Sequence, residues 1–297
     1  MGKNKICCFG EILWDLFPEG KKLGGAPFNV ACSLKSLGAD VEFISRVGQD
    51  SLADEILIEV ASKGISTDSI QIDPIHPTGK VEVSLDAKGV AAYRIETDVA
   101  WDFIESNEKL LKLVRHSKAF IFGSLVARGA SFDALKTFFE LASFNVFDLN
   151  LRPPFYSDSL LIELMGYAQM LKFNDEELYL VAEILNSPFH SMDQHIEFIA
   201  KETQTEIICV TQGMFGAVLY HKKQWIYNSG FKVKVFDTVG AGDAFLGTLI
   251  YGLIANDTPL NSLNRACAMG ALVAGSAGAN PNISEKELMQ FMGGYNI

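Results

Sequence analysis

Short apolar runs recur along the chain, most of them spaced widely enough for a helix between. Ile6–Gly10, Val41–Val47, Ala119–Gly123, Asn145–Leu149, Met170–Phe173, Ile207–Thr211 and Ala217–Tyr220 are such runs, and each reads as a strand. Segments of helical period lie between several of them. Val30, Leu34 and Leu37 recur at i, i+4 and i+7, with Gly38 as a stop, and Leu110, Leu111 and Val114 form a second apolar face. Strands alternating with helices imply an α/β fold: a doubly wound, mainly parallel sheet covered on both faces.

One stretch has a period of two. Val81, Val83 and Leu85 alternate with Glu82, Ser84 and Asp86; Asp86-Ala87-Lys88-Gly89 reads as a turn, and Val90–Ile95 returns. This hairpin, joined by Phe17–Leu23, reads as a small β-flap. The alternative is an antiparallel edge of the main sheet. No repeat or low-complexity linker appears, so residues 1–297 read as a single domain.

Composition narrows the function. In 297 residues, 48% are hydrophobic and 21% charged, which excludes wholesale disorder. With 25 Lys and Arg against 36 Asp and Glu, the net charge of −11 argues against a general binder of nucleic acid or anionic membrane. An anionic substrate would need a local site. Five cysteines, none in a CxxC pair, read as buried thiols of a reducing cytoplasm and not as a disulfide framework or zinc site. The apolar run after Lys5 is too short for a signal peptide, and Phe245–Ala255 is too short to cross a bilayer. A cytoplasmic protein is expected.

Five apolar runs end in small or polar residues: Gly10-Glu11, Gly123-Ser124, Asp148-Leu149-Asn150, Lys172-Phe173-Asn174 and Thr211-Gln212-Gly213. In open α/β sheets, functional groups collect at such endings, although ordinary loop polarity gives the same pattern. The segment from Asp237 through Thr238, Val239, Gly240, Ala241, Gly242 and Asp243 to Phe245 is more specific. Lys232–Phe236 alternates before it as a strand would, and Phe245 and Leu249 begin a helix face after it. Small residues opening a helix let backbone amides approach an anion, and the helix dipole adds positive potential. Phe245 stands where a dinucleotide fingerprint needs its third glycine, and no GxxxxGK[ST] loop occurs.

Asp243 would repel a ligand of a pure phosphate nest. It makes sense as the base that takes a proton from an alcohol while the amides receive a transferring phosphoryl group. A carboxylate that only complements the helix dipole is the other reading. Gly24-Gly25-Ala26-Pro27-Phe28-Asn29 opens a second helix. There Asn29 is either a ligand contact or an N-cap. Asp15 is a carboxylate near the first strand, suited to accept hydrogen bonds from sugar hydroxyls.

These two glycine motifs resemble the two signatures of the ribokinase-like (PfkB) carbohydrate kinases. Gly10-Glu11…Asp15, Arg46-Val47-Gly48-Gln49-Asp50, Asn150-Leu151-Arg152-Pro153-Pro154, Asn174-Asp175-Glu176-Glu177 and Thr211-Gln212-Gly213 fall in the family's order. Within the family, Gly-Glu-Ile-Leu-Trp-Asp, the Gly24–Ala31 stretch, Ala100-Trp101-Asp102 and Asn-Leu-Arg-Pro-Pro look most like fructokinases. The resemblance implies ATP, Mg²⁺ and, as in many members, a monovalent cation such as K⁺. It implies Asp243 as base, with Gly240, Ala241 and Gly242 as anion hole. Asp15, Gly25 and Asn29 would hold sugar hydroxyls, with Gly24 beside them. Apart from the resemblance, Arg94 or Arg152 could serve as the cation for the carboxylate of a sugar acid, and Arg94 could reach a bound sugar from the hairpin. Asn174, Thr211, Gly213 and Gly216 would bind nucleotide. Glu177 would organise Mg²⁺ through water, and Asp237 and Thr238 would help hold the monovalent cation with carbonyls near Ala274–Asn282. Some relatives carry an Asn over the adenine, at a position matching near Cys267.

The hairpin and Phe17–Leu23 match the family's lid, at about 16–23 and 78–97, and suggest a homodimer built lid to lid. The expected activity is transfer of a γ-phosphoryl group to a ketose primary hydroxyl, with D-fructose leading. A 2-keto-3-deoxygluconate kinase and a ribokinase are rivals in the same class. A catalytically silent sugar- or nucleotide-binding regulator is a rival from another. A nicotinamide oxidoreductase lacks its G-x-G-x-x-G turn.

Overall fold

The computed structural model describes residues 4–17, 20–85 and 91–294. The turn expected at 86–89 lies outside the described residues. The chain enters on β1 (Ile6–Phe9), makes a hairpin of β2 (Leu13–Phe17) and β3 (Gly20–Gly24), and continues through α1 (Ala26–Ser36), β4 (Val41–Gly48), α2 (Ser51–Ser62) and β5 (Ile70–Asp73). A second pair, β6 (Lys80–Leu85) and β7 (Ala91–Ile95), precedes α3 (Glu108–Arg115), β8 (Ala119–Gly123), α4 (Gly129–Phe139), β9 (Asn145–Asp148) and α5 (Asp158–Tyr167). Then come β10 (Met170–Asn174), α6 (Asp175–Ile184), α7 (Met192–Glu202), β11 (Ile207–Thr211), β12 (Ala217–His221) and β13 (Gln224–Asn228). The helices α8 (Ala241–Ile254), α9 (Pro259–Ala274) and α10 (Glu285–Gly293) follow.

Nine of the described strands form one sheet in the order β13-β12-β11-β10-β9-β8-β1-β4-β5, parallel from β11 to β5. Alternation along β1 explains why it needs helices on both faces. Ile6 and Cys8 enter one core with Phe28 and Leu246, while Cys7 and Phe9 enter the other with Phe120 and Phe138. All five cysteines are free and buried. Removing one such core ring would cost roughly 3–5 kcal/mol.

From β1 the chain winds outward to β4 and β5, then returns to the opposite side of β1 as β8. Strand order reverses there, so a crevice opens at the carboxyl ends beside β1. The five polar endings all fall on that rim because their strands run parallel.

The other four described strands form a separate sheet, β3-β2-β6-β7, in which Val81 pairs with Ile95 and Asp15 with Lys22. The hairpin is therefore not an edge of the main sheet. Leu13 and Val81 are the buried residues of its own small cluster, too little apolar surface to stand alone. Residues 232–236, expected as a strand, carry no ladder. The amides of Phe236 and Asp237 instead donate to the Ala274 carbonyl at 2.8 and 3.2 Å, which ties this segment to the end of α9. Val235 is exposed and gains nothing from a sheet. β5 and β13 went unanticipated because each is short and interrupted by polar residues. Among the described residues no helix is long and apolar enough to cross a membrane.

Candidate active site

The first turn of α8 is built for an anion. Its cap, Gly240, has φ 78°, and a Cβ there would strike the backbone of Ala279, so the turn depends on glycine. The Ala241 amide donates to the Thr238 carbonyl at 3.2 Å, and the Ala244 amide begins the helical ladder on Gly240 at 2.9 Å. The amides of Gly242 and Asp243 have no acceptor within the helix.

Asp243 is held from a distant part of the chain. Asn29 Nδ2 donates to Asp243 Oδ2 at 2.8 Å, and Asn280 Nδ2 donates to Asn29 Oδ1 at 2.7 Å. Asn29 is thus not an N-cap. Helix α1 is capped at Gly25, with φ 118°, and Glu11 Oε1 accepts from the Ala26 amide at 3.2 Å. The paired glycines have separate reasons. A Cβ at Gly25 would strike the Glu11 carbonyl oxygen, and one at Gly24 would strike the Asp15 carboxylate.

Acidic groups crowd this crevice. Burial pushes the Asp243 carboxyl up to about 6; the neighbouring Asp148 adds to that, while Asn29, Lys172 and Arg152 oppose it. Burial also lifts Asp15 to about 6, against Arg152 and Lys22. Glu11, 4% exposed, is lifted to about 7 by burial and, less strongly, by Asp243; the amides it accepts and Arg152 oppose this. Arg152 therefore reaches all three carboxylates electrostatically. Arg94 does not join them: its side chain is 84% exposed, 3.5 Å from Glu82 across the hairpin.

Asn174 and Glu177 sit at the end of β10 as a capping box. The Glu177 amide donates to Asn174 Oδ1 at 2.7 Å, and the Asn174 amide to Glu177 Oε2 at 2.8 Å. Glu177 Oε1 accepts from the Leu151 amide at 2.8 Å, which anchors the loop carrying Arg152. Asn174 pairs with Thr211 in the sheet register. Beyond Thr211, Gly213 and Gly216 adopt φ of 55° and 87°, and a Cβ at Gly216 would strike the Asn228 carbonyl. Asp237 Oδ1 accepts from the Val239 amide at 3.0 Å, and its segment lies against Ala274, as noted above. On α9, Cys267 is buried, and so is Asn264, whose Oδ1 accepts from Asn228 Nδ2 at 2.7 Å.

Sequence reasoning missed Lys172 and Asp148 as a pair. Lys172 Nζ donates to Asp148 Oδ1 at 2.8 Å in the core beneath α8. A lysine inside the apolar run Met170–Phe173 was the available signal. It also missed Asn280, which stands in a Gly- and Ala-rich stretch with no motif of its own.

A sequence model described as pfkB family carbohydrate kinase matches residues 3–286. The chain belongs to this family. The kinase is 29% identical over 265 residues to the fructokinase of Escherichia coli, covering 84% of each chain. It is 28% identical over 320 residues to a fructokinase of Solanum tuberosum, covering 99% of this chain and 97% of that one. A Vibrio cholerae O395 fructokinase double mutant, solved with fructose, ADP and potassium ion, superposes with a TM-score of 0.83 at 25% identity over 98% of both chains. The kinase is thus a phosphotransferase that acts on a sugar hydroxyl, with the expected doubly wound fold.

Proposed function

We propose that this kinase transfers the γ-phosphoryl group of ATP to the primary 6-hydroxyl of D-fructose. The observation that carries the reading is Asp243, a carboxyl raised to about 6, fixed by Asn29 beside the α8 amides that have no acceptor within the helix. A base of that strength is ionised at neutral pH and can accept the hydroxyl proton as the oxygen attacks phosphorus. The Gly240–Gly242 turn receives the charge spread over the phosphoryl oxygens, with the Gly242 and Asp243 amides as its donors. Asp15, Gly24, Gly25 and Asn29 line the crevice on the sugar side, and Asn174, Thr211, Gly213 and Gly216 line it on the nucleotide side.

The residues fit a hydrated Mg²⁺. Among the described residues Asp148 Oδ2 is buried without a partner and each Glu177 oxygen accepts a single amide, so all three can take hydrogen bonds from metal-bound water. When bound with ATP, the ion neutralises phosphate charge. Asp237 and Thr238, beside Ala274, are the candidate holders of K⁺.

Fructose is favoured by the names of the relatives and by charge. Glu11, Asp15, Asp148 and Asp243 outnumber Arg152 and Lys172, so a neutral ketose is admitted more readily than 2-keto-3-deoxygluconate. The small sheet closes as a lid over the sugar, and its outer strands β3 and β7 offer edges for a homodimer, which sedimentation would reveal. A coupled ADP-release assay over a panel of ketoses, ribose and sugar acids tests the substrate. Fastest turnover of fructose is expected; preference for a sugar acid or ribose overturns that choice, and absence of turnover with every sugar favours a silent binder.

A further inference from the structure

A buried ion pair lies under the first turn of α8. Lys172 and Asp148 are 6% and 4% exposed, sit in direct register on neighbouring parallel strands, and are joined at 2.8 Å. Taking two charges out of water is commonly no more stabilising than apolar side chains of the same volume would be. The pair therefore asks for a reason other than stability.

Its position supplies one. Met170 and Val146 belong to the core that contains Phe245 and Leu246 of α8, and alternation puts Lys172 and Asp148 on that same face. A Cβ at Gly242 would lie 3.6 Å from Lys172 Nζ, so the ammonium forms the floor of the turn, and glycine leaves nothing between them. An ammonium carries three protons, and among the described residues Nζ donates one hydrogen bond, to Asp148. Its charge is felt by Asp243 and Glu177 as well.

We propose that Lys172, aimed by Asp148, is a further catalytic residue that binds the transferring phosphoryl group together with the Gly242 and Asp243 amides. The inference rests on the reading above, which puts the γ-phosphoryl group at this turn. In the transfer, the bond from phosphorus to the bridging oxygen breaks and its electron pair stays on ADP. The bond from phosphorus to the sugar oxygen forms, and the hydroxyl proton passes to Asp243. Lys172 keeps its proton throughout. It offers a fixed positive charge where the equatorial oxygens gather negative charge, in a site closed to water. Asp148 prevents the ammonium from swinging towards Asp243 and neutralising the base.

The test compares wild type, Lys172→Met, Asp148→Asn and the double variant. Turnover, sugar KM, melting temperature and calorimetric affinity for ADP with and without aluminium tetrafluoride, a mimic of the phosphoryl group in flight, are measured. Lys172→Met is expected to lower kcat by about 10²–10³-fold, the usual effect of losing one such donor. Sugar KM and affinity for ADP alone should stay within about threefold, while the gain in ADP affinity from tetrafluoroaluminate falls at least about tenfold. Should Lys172→Met fail to fold, the double variant, freed of a lone buried charge, is compared with Asp148→Asn and should show the same losses. A folded variant that keeps kcat and the tetrafluoroaluminate gain within about threefold of its reference overturns the proposal, because a strand staple would change melting temperature alone. If wild type turns over none of the sugars, the proposed function fails, while the tetrafluoroaluminate comparison still decides on Lys172. A wild-type chain that shows no such gain overturns the inference.

Discussion

Asn29 and Asp243 are 214 residues apart in sequence and 2.8 Å apart in space, the amide of one donating to the carboxylate of the other. The contact joins the first turns of α1 and α8, each opened by a glycine turn. It orients the carboxylate and leaves it ionisable, because a single neutral donor only partly offsets the desolvation that raises its pKa.

Replacing Asp243 with Asn keeps shape and removes the base. The variant should bind ATP and sugar but lose about 10²–10⁴-fold in kcat, the usual contribution of a general base. Single-turnover and binding measurements separate the two; a kcat near wild type would remove Asp243 from the mechanism.

The pH dependence of activity and of stability should run in opposite directions. Only the ionised Asp243 accepts a proton, so kcat/KM should fall as pH drops through about 6. Stability follows the other sign. Asp15 and Asp243 are raised to about 6 and Glu11 to about 7, so their contribution is full below about pH 4 and is lost as pH rises through 6 and 7. Asp243→Asn should therefore be more stable than wild type at pH 8, by on the order of 2 kcal/mol, with the gap closing towards pH 4. Denaturant titrations at the two pH values check this; an equal gap at both would contradict the linkage.

The two glycines of the α8 turn should fail differently. Gly240→Ala faces both a positive φ and the Ala279 backbone, so it should lower melting temperature as well as activity. At Gly242 no positive φ is required and a Cβ meets only ordinary contact with Lys172 Nζ. Gly242→Val should fold, with kcat reduced by about 10²–10³-fold, because its side chain stands between phosphoryl group and donors. A soluble Gly242→Val enzyme with the parent kcat would show that no phosphoryl group approaches this turn.

Asp15 lies across the hairpin from Lys22. Asp15→Ala should raise sugar KM far more than ATP KM, since the lost hydrogen bonds concern hydroxyls remote from the phosphoryl group. Equal changes in both would mark Asp15 as a structural residue.

Much of this protein could be read in one dimension. Seven strands, the two glycine turns and the motif order follow from local rules: strand alternation, helix period and the backbone freedom of glycine act over a few residues. Asp243, Asp15 and Asn29 stood out because each adjoins such a local signal. What required the folded chain was every relationship between segments. Whether Asn29 capped its helix or reached across to Asp243, whether 232–236 joined a sheet, and where Arg94 and Arg152 pointed depended on neighbours tens or hundreds of residues away. The Lys172–Asp148 pair shows why. Each residue is an isolated charge in an apolar run, and its meaning comes from the register of β9 with β10 and from α8 crossing above them. Sequence alone determined which elements form and which carry chemistry. Tertiary structure decided which charges share one low-dielectric crevice, because Coulomb and desolvation energies depend on distance through space and not along the chain.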